Sequence, residues 1–188
     1  MINEEVKKAA EVVLSGGIIL YPTDTIWGIG CDATSVDAVQ RIYEIKRRFD
    51  SKSMLVLAGD IEMLSTYLDK VPGEALEIIK TAIKPTTIIY PGAKKLAPNL
   101  LAEDGSVGIR IPSDDFCLKL IKETGFPIVS TSANISGNPA PGSFGTIEQE
   151  LLQKVDHVVN WRQKEDTPSA PSRIIKLDEN GRSTVLRP

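Results

Sequence analysis

The chain has 188 residues, 41% hydrophobic and 25% charged, with a formal net charge of −3. These values are typical of one soluble globular domain over residues 1–188 and exclude a disordered or membrane-embedded protein. The acidic balance argues against a protein whose main task is to neutralise a nucleic-acid duplex. No apolar run approaches the roughly 20 residues of a membrane helix, and residues 1–5 begin an acidic helix, unlike a signal peptide. The sequence therefore predicts a cytoplasmic protein without membrane contact.

Cysteine and histidine are scarce in this chain. Cys31 and Cys117 are too few for a disulfide framework, and His157 is the single histidine. No zinc-ligand spacing can be assembled from these residues. We therefore predict no metal site built from protein side chains.

Helical and strand periodicities alternate along most of the chain. Asn3 is the predicted N-cap of the first helix, Ser35 that of the second, and Thr146 with Gln149 a capping box for the last. The final two strands flank a turn-rich segment and indicate a hairpin. The predicted elements are helix 3–15, strand 18–21, helix 35–48, strand 54–58, helices 60–68 and 73–83, strands 86–90 and 106–111, helix 114–124, strand 127–131, helix 146–155, and strands 173–177 and 183–187.

This order of elements predicts an α/β fold with a mixed sheet covered by helices and without internal repeats. Residues 162–171 carry charges, two prolines and few apolar anchors. We interpret that segment as a mobile loop over a site.

The first polar block follows the first predicted strand. Thr23, Asp24 and Thr25 place two hydroxyls and a carboxylate at the carboxyl end of a strand, where open α/β sheets bind ligands. The alternative is a turn whose side chains only satisfy the backbone, and composition alone favours it slightly. Gly28 and Gly30 resemble a dinucleotide fingerprint, which we reject because the next strand is not followed by a ribose-binding acid.

The second block is a run of cations at the end of the second predicted helix. It consists of Lys46, Arg47 and Arg48, with Lys52 four residues further on. Cations at this position oppose the negative end of the helix dipole, which is the commoner explanation for such a run. The functional alternative is a polyphosphate clamp, in which Arg48 makes a forked contact and the lysines act as point charges.

The third block, residues 130–137, is dense in hydroxyls and follows another strand. Its hydroxyls and amide groups suit an anion or a nucleotide. No base accompanies Ser132, so it is not interpreted as a hydrolytic nucleophile, and His157 is interpreted as a strand-edge residue. Arg110 lies inside an apolar strand and requires an anionic partner, either a structural carboxylate or a substrate carboxylate.

Taken in order, these segments resemble the YrdC/Sua5 family over residues 16–187. The matching segments are Tyr-Pro-Thr-Asp-Thr at 21–25 with Gly28 and Gly30, Lys46 with Arg48, Lys-Pro-Thr-Thr at 84–87, Val-Gly-Ile-Arg-Ile-Pro at 107–112, Ser-Thr-Ser-Ala-Asn at 130–134 with Ser136 and Gly137, and Pro171 with Ser172. The resemblance implies a single twisted mixed-sheet α/β domain, with helices packed on the sheet and a large, positively charged concave site.

The activity implied by the resemblance is synthesis of threonylcarbamoyl-AMP and pyrophosphate from L-threonine, bicarbonate and ATP, with Mg²⁺. The product would pass to a tRNA threonylcarbamoyltransferase complex that modifies adenosine 37 of tRNA. The implied catalytic residues are Lys46 and Arg48. The implied ATP-binding residues are Lys46, Arg48, Lys52, Ser106, Ser132, Asn134 and Arg187, and the implied threonine-binding residues are Thr25, Arg110, Ser130 and Ser172.

The chain departs from the family pattern at several positions. Leu57 stands where some members carry a threonine-contacting histidine, and Ala140 replaces a frequent ATP-contacting serine. Phe49 replaces a proline, Trp27 stands where tyrosine is common, and Arg173 where threonine is usual.

Two other functions are considered. The first is an RNA-binding module of the same fold without adenylation activity, motivated by Lys46, Arg47, Arg48, Lys52, Lys94 and Lys95. The second is adenylation of another carboxylated amine or of carbamoyl phosphate, as the related domain of hydrogenase-maturation carbamoyltransferases does. This chain lacks the zinc-binding and acyl-phosphatase regions of those proteins.

Overall fold

The computed structural model describes residues 1–47, 54–165 and 170–188. The helices are α1 (Ile2–Leu14), α2 (Val36–Ile45), α3 (Ile61–Tyr67), α4 (Gly73–Thr81), α5 (Asp115–Thr124) and α6 (Gln149–Leu152). The strands are β1 (Ile19–Tyr21), β2 (Gly28–Gly30), β3 (Leu55–Leu57), β4 (Thr86–Tyr90), β5 (Val107–Arg110), β6 (Ile128–Ser132), β7 (His157–Val158), β8 (Arg173–Leu177) and β9 (Ser183–Arg187). Among the described helices none is both long and apolar enough to cross a membrane.

In the described parts of the chain, nine strands form one sheet in the order β7-β1-β2-β6-β3-β5-β4-β8-β9. Three neighbouring pairs are parallel, namely β1 with β7, β3 with β5, and β4 with β8. The other pairs are antiparallel, including the predicted hairpin of β8 and β9. The predicted mixed α/β sheet is therefore confirmed. The sequence prediction missed β2, which joins β1 to β6.

Helix capping agrees with the sequence prediction at one helix and differs at two. Ser35 caps α2 as predicted, because its hydroxyl accepts a hydrogen bond from the Ala38 N–H at 3.2 Å. The prediction of Asn3 as the first cap is wrong. The helix begins one residue earlier, with Met1 at the N-cap, and the terminal ammonium donates to Glu4 at 2.6 Å.

The predicted capping box for the last helix is also wrong. Thr146 closes a turn of 3₁₀ helix at Phe144–Thr146, where its hydroxyl and the Ser143 backbone bond to each other. The α-helix that follows covers only Gln149–Leu152 and has Glu148 at its N-cap. Thr146 cannot cap this helix because its hydroxyl already serves the preceding turn.

Alternating side chains place two apolar layers on opposite faces of the sheet. On one face, Val56 and Val129 belong to the same core cluster as Val39 of α2. On the other face, Leu57 and Ile128 pack in a cluster that includes residues of α1 and α5. Helices α1 and α5 therefore cover one end of this second face, and the candidate site lies further along it.

Candidate active site

A cavity of about 320 Å³ lies on the sheet face that also carries α1 and α5. Its walls come from β2, β3, β4, β5, β6, β8 and β9. It brings together six of the predicted site residues: Thr25, Arg110, Ser130, Ser132, Ser172 and Arg187. Residues that are far apart in the sequence, such as Thr25 and Arg187, thus meet in one hollow.

The hollow exists because the strands carry small side chains on this face. Along β6, Ile128 lies under the helices, whereas Ser130 and Ser132 point the same way and line the cavity. Gly28 and Gly108 line the neighbouring stretches of β2 and β5. These small residues leave room that larger side chains would fill, although Leu55, Ile89 and Ile174 also line the cavity.

The glycine pair of β2 serves strand packing. A Cβ atom on Gly30 would lie 2.6 Å from the Val129 carbonyl oxygen and 2.7 Å from the Tyr21 ring. Gly28 and Gly30 lie within a strand, not in a turn before a helix, so they do not form a dinucleotide fingerprint. The rejection of that motif agrees with the structure.

Arg110 is a buried cation at the wall of the cavity, with 2% of its side chain exposed. Its Nη1 bonds to Asp24 Oδ1, and its Nη2 donates to Thr25 Oγ1 at 3.3 Å. The other oxygen of Asp24 accepts from the Ser113 N–H at 3.1 Å. Of the two partners considered for Arg110, the structural carboxylate is thus present, and contact with a substrate carboxylate stays a prediction.

One atom of Arg110 remains unpaired. Its Nε is buried and has no hydrogen-bond partner among the described residues. A buried N–H group without a hydrogen-bond acceptor lowers the stability of the folded protein, so such groups are rare in native proteins. Incomplete pairing of this guanidinium is consistent with a residue that binds an anion.

Ser172, Thr87 and Arg187 form a second polar group at the cavity. The Ser172 and Thr87 hydroxyl oxygens lie 2.8 Å apart, and both side chains are buried. Arg187 Nε donates to the Ser172 carbonyl at 2.8 Å, and burial lowers the pKa of its guanidinium. Thr87 was not predicted individually, although a threonine facing inward within the apolar strand β4 was a usable signal.

Lys46 holds the loop that follows β6. Its Nζ donates to the carbonyl oxygens of Ser132 at 2.5 Å and Asn134 at 2.7 Å, and the Ser136 N–H donates to the Lys46 carbonyl. The side chain is 2% exposed. Lys46 therefore positions the backbone beside Ser132, and its implied contact with phosphate stays a prediction.

The remaining predicted ATP ligands do not line this cavity or lie outside the described residues. Ser106 donates to Asp104 Oδ1 at 2.5 Å, and Asn134 Nδ2 donates to the Asn138 carbonyl at 2.6 Å. Neither belongs to the cavity wall. Arg48 and Lys52 lie outside the described residues, as do Phe49 and residues 166–169 of the predicted loop over the site.

Two positions where the chain departs from the family pattern differ in location. Ala140 lines the cavity, so the absent serine hydroxyl leaves an apolar patch there. Leu57 is fully buried in the cluster with α5 and does not line the cavity. In this structure the histidine position therefore belongs to the core.

The cysteines are not reactive groups. Both are free and buried, and burial raises the pKa of each thiol. Within the described ranges, no three His, Cys, Asp or Glu side chains are grouped so that they could hold a metal ion. The chemistry available at the cavity is thus that of hydroxyls, guanidinium groups and backbone amides.

Comparisons with known proteins show the family to which this chain belongs. The family model Sua5_yciO_yrdC, described as telomere recombination, matches residues 11–188. The threonylcarbamoyl-AMP synthase of Hahella chejuensis is 38% identical over 153 residues, which are 81% of this chain and 83% of that protein.

Solved structures show the same fold. P. abyssi Sua5 complexed with L-threonine superposes with a TM-score of 0.85 at 28% identity, covering 97% of this chain and 53% of that one. This chain thus spans about half the length of that Sua5 protein. E. coli YciO superposes with a TM-score of 0.84 at 27% identity, covering 100% of this chain and 89% of that one. The chain belongs to the Sua5/YciO/YrdC family.

Proposed function

We propose that this chain is a threonylcarbamoyl-AMP synthase, which makes threonylcarbamoyl-AMP and pyrophosphate from L-threonine, bicarbonate and ATP. The observation that carries the proposal is the convergence of Arg110 and Arg187 with six serine and threonine residues in one cavity. The relative from Hahella chejuensis bears the same enzyme name, and the P. abyssi relative binds L-threonine. Residues 1–188 act as one catalytic domain in this proposal.

The cavity divides into an amino-acid side and a nucleotide side. Arg110 binds the threonine carboxylate, and Thr25, Ser130 and Ser172 surround the rest of the amino acid. A guanidinium suits this task because it is always charged and matches a carboxylate with paired donors. The proposed ATP contacts are Ser132 and Arg187 at the cavity, with Lys46, Arg48, Lys52, Ser106 and Asn134.

The reaction needs no side-chain nucleophile. The threonine amine attacks bicarbonate with loss of water and gives a carbamate. A carbamate oxygen then attacks the α-phosphorus of ATP, and pyrophosphate leaves. Substitution at phosphorus depends mainly on positioning and charge neutralisation, which cations and hydroxyls provide.

Mg²⁺ accompanies ATP in this proposal. The described residues offer no grouped carboxylates that would hold the ion by themselves. Mg²⁺ keeps several waters and is commonly bound through substrate phosphates with one or two carboxylates at most. A magnesium ion bound to the nucleotide phosphates would be compatible with these residues and would supply positive charge against that of the pyrophosphate.

The product serves modification of adenosine 37 of tRNA, and we propose that a cytoplasmic tRNA threonylcarbamoyltransferase complex takes it up. The test is pyrophosphate release by the purified protein, with ATP, Mg²⁺, threonine and bicarbonate omitted one at a time. Release should require all of them, and mass spectrometry should detect threonylcarbamoyl-AMP. Release that does not depend on threonine would contradict the proposal. A panel of other amino acids and carbamoyl phosphate separates this activity from adenylation of a related substrate.

The alternative is an RNA-binding module without adenylation activity. Two of its candidate cations have acidic neighbours: Arg47 bonds to Glu150 at 2.5 Å, and Lys94 lies 3.9 Å from Asp69. Both ion pairs reduce the charge available to an RNA backbone. Tight RNA binding that weakens steeply with salt, without any ATP turnover, would favour this alternative.

A further inference from the structure

Thr23 and Thr25 form a pair of buried hydroxyls below the cavity. Their Oγ1 atoms lie 2.9 Å apart, and the side chains are 4% and 7% exposed, respectively. Thr25 lines the cavity, whereas Thr23 does not, and both residues line a smaller neighbouring hollow. The partners of this pair determine where each hydroxyl hydrogen points.

The hydrogen of Thr23 is fixed by a carbonyl group. A hydroxyl has one hydrogen to donate and two lone pairs to accept with. Thr23 Oγ1 lies 2.8 Å from the Ile26 carbonyl oxygen, which can only accept, so the Thr23 hydrogen points there. Thr23 also accepts from the Thr25 N–H at 3.0 Å. Its one remaining capacity is to accept a second hydrogen bond.

The hydrogen of Thr25 is fixed as a consequence. Since Thr23 can only accept within the pair, Thr25 must donate its hydrogen to Thr23. One lone pair of Thr25 Oγ1 faces Arg110 Nη2, which can only donate, at 3.3 Å. The other lone pair is left for a ligand. Thr25 therefore presents an acceptor to the cavity and cannot donate.

The charge beside Thr25 limits which donor it accepts from. A positively charged ammonium would be repelled by the Arg110 guanidinium next to this lone pair. A neutral hydroxyl is not repelled, and it can lie beside a carboxylate that binds the arginine. The geometry thus suits an amino acid that carries a side-chain hydroxyl.

We infer that Thr23 is a positioning residue that makes Thr25 an obligatory acceptor, so that the site selects an amino acid with a donating side-chain hydroxyl. This inference rests on the proposed function, since it assumes that the amino acid binds in this cavity. A site with a fixed acceptor discriminates strongly, because an analogue without the hydrogen leaves that buried acceptor unpaired.

The first test uses the unmutated protein and three amino acids. The rate of pyrophosphate release is measured with L-threonine, with L-valine and with the 3-fluoro analogue, in which fluorine replaces the hydroxyl. Fluorine is close in size to a hydroxyl but has no hydrogen to donate. Threonine should be preferred over both by at least about a hundredfold in kcat/KM. Use of the fluoro analogue within tenfold of threonine would overturn the inference.

The second test compares Thr23→Val with Thr23→Ser. Valine removes the hydroxyl and releases the Thr25 hydrogen, so kcat/KM for threonine and the preference over the fluoro analogue should each fall on the order of tenfold. KM for ATP should stay unchanged. Serine keeps the hydroxyl and should restore the preference. The matched control is Thr124→Val, which removes another buried hydroxyl that bonds a helix carbonyl and does not line the cavity.

The outcomes separate this inference from the proposed function. If the unmutated protein releases no pyrophosphate with threonine, the proposed function fails. If it does so and Thr23→Val keeps the full preference for threonine, the inference alone fails. Should Thr23→Val not fold, Thr23→Ala, which also removes the hydroxyl, takes its place with the same expected loss of preference and the same contradicting result.

Discussion

At the scale of single residues, the most consequential pair is Arg110 with Asp24. Their side chains are 2% and 10% exposed, so both charges have left water. Such a pair contributes little net stability over apolar residues, but removal of one partner leaves an uncompensated charge. Asp24 also holds the Ser113 backbone, and therefore fixes the direction from which the guanidinium reaches the cavity.

Asp24→Asn should therefore destabilise the protein. The substitution removes the charge and keeps nearly the same shape, so the loss reports the uncompensated guanidinium. We expect the free energy of unfolding to fall by about 3–5 kcal/mol in urea denaturation. The control is Glu150→Gln, because Glu150 pairs with Arg47 at an exposed position and should leave the urea midpoint nearly unchanged. A change below about 1 kcal/mol for Asp24→Asn would contradict a buried, paired arginine.

Individual site residues differed in how far the sequence could predict them. Thr25, Ser130 and Ser132 follow or end strands, and the general rule for ligand sites in α/β sheets pointed to them. The hydrogen-bond partners of Arg110 and Ser172 could not be predicted from the sequence. Asp24 lies 86 residues from Arg110 along the chain, and Thr87 lies 85 residues from Ser172. Only the strand order brings such residues together, and periodicity does not encode that order.

At the scale of elements, local pattern determined what could be predicted. Strands β4, β8 and β9 have the predicted bounds because alternating side chains and a turn-rich segment mark them. Strand β2 is Gly-Ile-Gly and offers one apolar residue, too few for a period to be read. It pairs because glycine allows the close approach of Tyr21 and the β6 backbone, which is a property of the neighbours.

Glu5 joins helix α1 to the segment after β7. Its carboxylate is 8% exposed, accepts from Lys8 Nζ and from the Asn160 N–H, and lies 3.5 Å from His157 Nε2. Burial by itself raises the pKa of this carboxyl, but the hydrogen bonds from Lys8 and Asn160 outweigh it and hold the pKa below its usual value. The ionised form is therefore favoured in the folded protein.

Glu5→Gln should lower stability in a pH-dependent way. A depressed pKa contributes stability that is fully present above the unfolded value and is lost as the pH falls through the folded pKa. We expect the free energy of unfolding to fall by about 1 kcal/mol at pH 7 and by less below roughly pH 4. Chemical denaturation at a series of pH values from about 3 to 8 measures this difference. Glu11→Gln, at an exposed position of the same helix, is the control. An equal loss at every pH would show that packing, and not ionisation, is responsible.

At the scale of the whole molecule, the cavity forms where several strands of the sheet carry glycine or serine in place of large side chains. Helices α1 and α5 cover the end of the face that carries Leu57 and Ile128. Beyond them β6 carries Ser130, and the strands β2 and β5 carry Gly28 and Gly108, so little apolar bulk is available to fill this part of the face. The fold thus leaves a hollow over seven strands, and polar residues from both ends of the chain reach into it.

Gly108→Val tests whether this missing bulk is what makes the site. A Cβ on Gly108 would lie 3.2 Å from the Thr87 methyl, and the two valine methyls would extend into the cavity. A β-branched residue suits a strand, but the Thr87 methyl must shift to admit it, so the free energy of unfolding should fall by about 1–3 kcal/mol. Turnover should fall on the order of tenfold or more in kcat/KM for threonine, because the added volume competes with the substrate.

Gly73→Val is the matched control. It places the same side chain where nothing lies within 4 Å, outside the cavity wall, and should leave turnover unchanged. Unaltered threonine kinetics in a folded Gly108→Val protein would mean that the amino acid binds elsewhere, and the assignment of Arg110 and Ser172 to its pocket would have to be abandoned.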